Sequence, residues 1–285
     1  MKNVISYSFF DPKVLPTHRS WDSLKSNAER YYFNIPSIVL GNAILFPDSE
    51  IKFFITENTL LNELSTIFRV LENYVTVVSV DMEYSLTEPS ILRMIPLWEN
   101  YDNVHTRDAD SLITETEYNY MNFFDMSNYS IGTIRTHQNH YGYGCCMLAG
   151  MSSFKPKAIP TSIKGESYDL YYSNNHRGYG CDQDLMIKTF TSDHEYCSHF
   201  FLDCKAKNQN NPQCFSCASY NNDEISEYSK NVEFIFSKQK QLGYDDWCGL
   251  PVDSRGEYTN MLLEIFPDVI NRIEKYPRLK DMYIK

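Results

Sequence analysis

Asn103-Val104-His105-Thr106-Arg107-Asp108-Ala109-Asp110-Ser111 places two carboxylates one residue apart at the end of a run that reads as a β-strand. Side chains alternate faces along a strand, so Asp108 and Asp110 are expected to point the same way while Ala109 turns back into the fold. Two hard oxygen donors on one edge suit a divalent cation that also takes phosphate oxygens as ligands. A chain with 19 Asp also produces an Asp-x-Asp by chance, so the surroundings matter. Thr114-Glu115-Thr116-Glu117 has the Thr-x-x-Glu form of a capping box and opens an amphipathic stretch that reaches Phe124. A strand that ends in acids before a helix puts those acids at the carboxyl edge of a sheet, where open α/β sheets bind ligands.

Upstream, β-branched and aromatic runs predict strands at 4–10, 51–56 and 75–80. A helical stretch interrupted at Pro36 lies over 26–45, and a cleaner helix over 58–73 carries Leu60, Leu61, Leu64, Ile67, Phe68 and Leu71 on its apolar stripe. Alternating strands and helices point to an α/β fold with a mostly parallel sheet and crossover helices. Downstream, 129–136 reads as a strand, 141–150 as a Gly-containing loop and strand, and 160–180 as a long polar, Tyr-rich loop. A short helix is expected over 182–190, a short strand over 198–203, and one amphipathic helix over 259–275. No repeat or linker divides residues 1–285, so a single domain is expected, with an insertion at 204–226 that is rich in Asn, Gln, Cys and Ser.

The net charge of -11 and the absence of a Lys/Arg block argue against duplex nucleic acid or an anionic membrane as the main partner. An anionic small ligand is compatible if a metal ion and a few Arg neutralise it locally. The first apolar run is stopped by Asp11 and Pro12, too early for a signal peptide, and no run reaches the roughly 20 apolar residues of a membrane span. A soluble cytoplasmic protein is the expectation. The 8 Cys then read as thiols or metal ligands: Cys145 and Cys146 as buried thiols, and Cys197, Cys204, Cys214 and Cys217 as free thiols or a zinc site. The 22 Tyr suit stacking on bases or sugars as well as a Tyr-rich core.

An ordered set of blocks carries a resemblance. It consists of ISYSFF at 5–10, RYYFNI at 30–35, FPDSEIKFFI at 46–55, LRMIPL at 92–97, HTRDADS at 105–111, IRTHQNH at 134–140, MLAGM at 147–151 and GCDQDLM at 180–186. The chain resembles a group of GT-A glycosyltransferases of large DNA viruses, the chlorella viruses and mimivirus relatives among them, and of some bacteria. The resemblance covers roughly residues 4–203, about two thirds of the chain, and omits the Cys-rich stretch and the C-terminal helix. It implies a GT-A fold and transfer of a sugar from a nucleotide-diphosphate sugar, UDP-sugars first, to a glycan or protein-linked acceptor. It also implies Mn²⁺ or Mg²⁺ and a place in the host cytoplasm or virion.

On this resemblance Asp110 ligates the metal directly, and Asp108 binds ribose or a metal-bound water. His199, with His194 as its competitor, supplies a late ligand. Ser6, Tyr7 and Ser8 cradle the base and ribose, while Arg30 and Arg93 neutralise phosphate or bind the base. Arg107 pairs with a carboxylate or a phosphate. Gly150 lets a backbone amide approach the donor sugar, or is a packing glycine. This chain has Ala149 where relatives often have Gly, and Ser152-Ser153 where they often have Trp-Gly, which leaves the sugar open. His137 and His140 are structural or line the acceptor side. Asp182, beside Gln183, caps a helix, orients donor hydroxyls, or acts as base if the reaction inverts the anomeric centre.

Two other classes fit paired acids. A metal-dependent phosphohydrolase or nucleotidyltransferase normally wants a second dense cluster for two ions about 4 Å apart. A non-catalytic carbohydrate-binding module on a decayed enzyme would not need both acids. A nucleophilic Cys hydrolase has its residue types here but no local motif that links them.

Overall fold

The computed structural model describes residues 1–9, 28–56, 62–80, 89–135, 147–161, 182–183, 186, 189–190, 199–203, 230–243, 250–251 and 256–284. His137, His140, Cys145, Cys146, His194, Cys197, Cys204, Cys214 and Cys217 lie outside them, as do the 204–226 insertion and most of the 160–180 loop.

Strands β1 (Asn3–Phe9), β2 (Ser49–Thr56), β3 (Thr76–Val80) and β4 (Asn103–Arg107) are joined by α1 (Ala28–Leu45), α2 (Asn62–Val70) and a 3₁₀ helix (Pro89–Trp98). Next come β5 (Ser111–Leu112), α3 (Glu115–Met126), β6 (Ile131–Arg135), β7 (Met151–Phe154) and β8 (His199–Asp203). Helix α4 (Lys230–Gln241), β9 (Leu250–Pro251), α5 (Glu257–Ile265), α6 (Pro267–Ile273) and α7 (Pro277–Tyr283) complete the order. Among the described residues the main sheet has seven strands in the order β3-β2-β1-β4-β7-β6-β8. Of these described strands only β7 runs antiparallel to its neighbours, so the α/β, mostly parallel expectation holds.

From β1 the chain steps outward to β2 and β3, then returns to place β4 on the other side of β1. That reversal opens a crevice at the carboxyl ends of β1 and β4, the place where such sheets take ligands. The pleat sorts the two faces. Ile5, Tyr7 and Phe9 of β1 join one buried cluster with α1, α2, α3 and the C-terminal helices, whereas Val4 joins a second cluster with Ile91, Met94 and Leu97 of the 3₁₀ helix. On that second face Ser6 Oγ donates to the Arg93 carbonyl at 2.7 Å and Ser8 Oγ to the Ser90 carbonyl at 3.1 Å, which seats the 3₁₀ helix on the strand.

Three expectations are corrected. Helix α1 runs through Pro36, because residues 34–40 are all buried and their packing outweighs the hydrogen bond that proline removes. Of the loop and strand expected over 141–150, the described residues 147–150 are non-strand and enter β7 at Met151. The single helix expected over 259–275 is cut at Pro267, the first residue of α6, and Pro277 opens α7 in the same way. Helix α6 docks on the end of α2 and the turn after it: the Tyr74 hydroxyl donates to Asp268 Oδ1 at 2.9 Å, and Arg272 donates to the Val70 carbonyl at 3.3 Å. The 3₁₀ helix and α4 have no counterpart in the sequence reading. No helix among the described residues is long and apolar enough to cross a membrane.

Candidate functional site

Strand β4 delivers the acidic pair. It is buried along its whole length and stops at Arg107, so Asp108, Ala109 and Asp110 form a turn closed by hydrogen bonds from Ser111 to the Asp108 carbonyl. Ala109 is 7% exposed and packs into the core, but as part of a turn beyond the end of β4 rather than through the strand alternation expected from the sequence. The capping box is complete: Thr114 Oγ1 accepts the Glu117 N–H and Glu117 Oε2 accepts the Thr114 N–H, each at 3.3 Å.

Arg93 reaches this turn from the 3₁₀ helix. Its Nη1 donates to Asp108 Oδ1 and to the Arg107 carbonyl, and its Nη2 donates to Asp182 Oδ2. The Arg93 and Asp182 side chains are 8% and 7% exposed, that of Asp108 40%. Burial favours the neutral guanidine, but the charges of Asp108 and Asp182 outweigh it and hold the Arg93 pKa above its ordinary value. Asp182 Oδ1 also accepts the Gln183 N–H at 2.9 Å, so both Asp182 oxygens are engaged.

Gly150 completes the cluster. A Cβ placed on it would overlap the Asp108 carboxylate, so the acid lies directly over the glycine. The turn that presents Gly150 is pinned from below: Thr106 Oγ1 donates to the Ala149 carbonyl at 2.6 Å, and Ser152 Oγ donates to the Leu148 carbonyl at 2.7 Å. Ser152 is thus part of a hydroxyl ladder that continues to Thr133 at 2.9 Å.

Arg93, Asp108, Gly150 and Asp182, spread over 90 residues of sequence, therefore meet at the crevice, with Asp110 in the same turn and Gln183 beside Asp182. Other expected residues sit elsewhere. Tyr7 is fully buried, stacks on Phe53 with centroids 4.7 Å apart and receives the Asn42 amide at 2.5 Å, so it belongs to the core. Ser6 and Ser8 are spent on the 3₁₀ helix. Arg30 lies in the first turn of α1, and only its backbone is described. Arg107 is paired with a carboxylate, Glu117, rather than open to a phosphate.

His199 is not brought to the acidic pair. It opens β8 and registers with Ile131 of β6, then through Phe154 of β7 with Val104 of β4. Three strand spacings are about 14 Å, and Asp108 lies a further four residues, about 13 Å, toward the opposite end of the sheet. Among the described residues no group of three or more His, Cys, Asp or Glu side chains gathers as a metal cage.

One further constellation was not visible in the sequence. His105 Nδ1 lies 2.7 Å from Ser153 Oγ and Nε2 lies 2.9 Å from Asp125 Oδ1, the order of a nucleophilic triad. His105 is 1% exposed and Ser153 fully buried, so no substrate reaches the hydroxyl. The trio instead ties β4 and β7 to the end of α3.

No family model matches this chain, and no curated protein matches it in sequence. Solved structures do. Glycosyltransferase GlyE of Streptococcus pneumoniae TIGR4 in its apo form is 15% identical over 70% of this chain and 44% of its own, with a TM-score of 0.41. TarS 1–349 of S. aureus in complex with UDP-GlcNAc is 10% identical over 100% of this chain and 84% of its own, with a TM-score of 0.44. Galactosyltransferase LgtC in complex with donor and acceptor sugar analogs is 12% identical over 70% and 73%, with a TM-score of 0.39. This chain spans less than half the length of GlyE.

Proposed function

We propose that this protein is a GT-A glycosyltransferase that moves a sugar from a nucleotide-diphosphate sugar, with UDP-sugars the first choice, to a glycan or protein-linked acceptor. The observation that carries the reading is Arg93 held between Asp108 and Asp182 at the crevice between β1 and β4. A buried guanidinium shared by two acids gathers charge where an α/β sheet binds ligands, and such clusters concentrate at functional sites. Arg93 Nε is buried and has no acceptor among the described residues, so the guanidinium acts on the site through the two acids that its Nη groups hold.

The donor set fits a hard divalent ion. Asp108 keeps 40% of its side chain exposed and Asp110 is partly exposed in the same turn, whereas Asp182 is buried behind them. Mn²⁺ or Mg²⁺ would be held by Asp110 and Asp108, where it would neutralise charge on the diphosphate leaving group. The protein's own residues do the rest. Arg93 bridges Asp108 and Asp182, Gly150 gives Asp108 its room, and Thr106 fixes the turn that carries Gly150. Because both Asp182 oxygens already accept hydrogen bonds, its remaining lone pairs suit donor sugar hydroxyls better than proton abstraction, with Gln183 as its neighbour in that role.

The test is release of nucleoside diphosphate from a panel of nucleotide sugars with Mn²⁺. Release from one sugar nucleotide, lost in Asp110→Asn, is the expected result. Phosphate release without sugar preference would replace the reading with a phosphohydrolase.

A further inference from the structure

The turn that carries Asp108 and Asp110 is bracketed by a buried ion pair. Arg107 closes β4, Glu117 lies in the first turn of α3, and Arg107 Nε stands 3.5 Å from Glu117 Oε1 with both side chains 2% exposed. Glu117 also takes the Thr114 N–H through its other oxygen. Arg107 Nη1 donates to the Thr106 carbonyl at 2.8 Å and reaches the Ser152 carbonyl at 3.5 Å. One guanidinium thus touches the strand that enters the acidic turn, the helix that leaves it, and the strand that follows Gly150.

We propose that Arg107 and Glu117 are positioning residues, whose pairing sets the acidic segment 108–113 against the Gly150 turn and so presents Asp108 and Asp110 to the site. This rests on the reading of that site given above. Taking two charges out of water is costly, and well-packed apolar residues in their place are often as stable or more so. The pair is also imperfectly satisfied, since Arg107 Nε and Nη2 lack hydrogen-bond acceptors among the described residues. Stability is therefore a poor reason for it. Geometry is a better one, because the turn's own bonds are long: Ser111 N–H to the Asp108 carbonyl spans 3.4 Å, Ser111 Oγ to the same oxygen 3.3 Å. The strand that follows, β5, is two residues long. Two buried charges that must stay in contact permit one placement of the segment between them.

Two variants test this. R107M/E117L removes both charges while keeping volume, and Glu117→Gln keeps an acceptor for the Thr114 N–H but drops the charge. Hydrogen exchange at Ser111 and Leu112 is compared with exchange at Ile5 to Phe9 of β1, and a mixture of MnCl₂ and UDP is titrated into each protein. Exchange in the acidic segment should rise about tenfold or more while β1 changes less than about twofold, a local opening rather than global loss. Affinity for the Mn²⁺–UDP mixture should fall in step. A folded variant whose acidic segment stays as protected as in the parent chain overturns the proposal. If R107M/E117L does not fold, Glu117→Gln is read by the same criterion. If the segment loosens and the parent chain binds no Mn²⁺–UDP, the positioning role stands and the glycosyltransferase reading falls.

Discussion

The Asp108 carboxylate lies over the Cα of Gly150, in the space that any side chain at 150 would fill. Gly150→Ala therefore acts on the acid rather than on the backbone, since a methyl group must push the carboxylate off the glycine and away from Arg93. The turn keeps its hydrogen bonds from Thr106 and Ser152, so the fold should survive. We expect a thermal midpoint within a few degrees of the parent chain and at least about a tenfold loss of donor binding, because a misplaced site group costs that much or more. Calorimetric titration with a nucleotide sugar and Mn²⁺ checks it.

Arg93 should tolerate no replacement. Arg93→Met leaves Asp182 buried and unpaired, and breaking a buried pair in this way costs about 3 kcal/mol or more. Arg93→Lys keeps the charge but not the fork that spans Asp108, Asp182 and the Arg107 carbonyl, so it should fold and bind donor poorly. Urea unfolding separates the two. Adding Asp182→Asn to Arg93→Met should recover part of the lost stability, because the stranded charge is then gone.

Much of this site was legible in the sequence because its members sit beside strong local signals. The capping box located the helix after Asp108, and alternating strands and helices pointed to the mostly parallel sheet, whereas Ala109 is buried by a turn and not by strand alternation. Arg93 was a candidate, but its bridge to Asp182 joins residues 89 apart in sequence, so no local pattern could show it. Tyr7 misled for a related reason. A run such as Ser6-Tyr7-Ser8 does not say which face meets the crevice, and the pleat turned Tyr7 into the core. His199 was assigned from block order alone, which carries no register.

Alkaline stability should follow the buried tyrosines. Burial raises the Tyr101 pKa to about 12, helped by the hydrogen bond it donates to Glu50 at 2.5 Å, and burial also pushes Tyr7 and Tyr283 well above their ordinary value. These groups hold their protons more tightly folded than unfolded. Stability should thus be unaffected below about pH 10, where the unfolded chain also keeps these protons, and fall as pH rises above it. Tyr101→Phe should flatten part of that fall. Urea midpoints between neutral pH and pH 11, with tyrosinate absorbance as a second readout, check the sign.

His199→Ala separates sheet register from block order. The backbone register puts His199 in the Val104 row, three strands from β4 and at the other end of the sheet from the acidic turn. The Mn²⁺ concentration for half-maximal donor turnover should therefore change less than about twofold in His199→Ala and rise by more than about tenfold in Asp110→Asn, where a charged oxygen ligand is lost. A metal titration of the three proteins side by side is sufficient. Should His199→Ala shift the metal requirement as far as Asp110→Asn does, β8 would have to lie beside the carboxyl end of β4, and the strand order drawn for this sheet would be wrong.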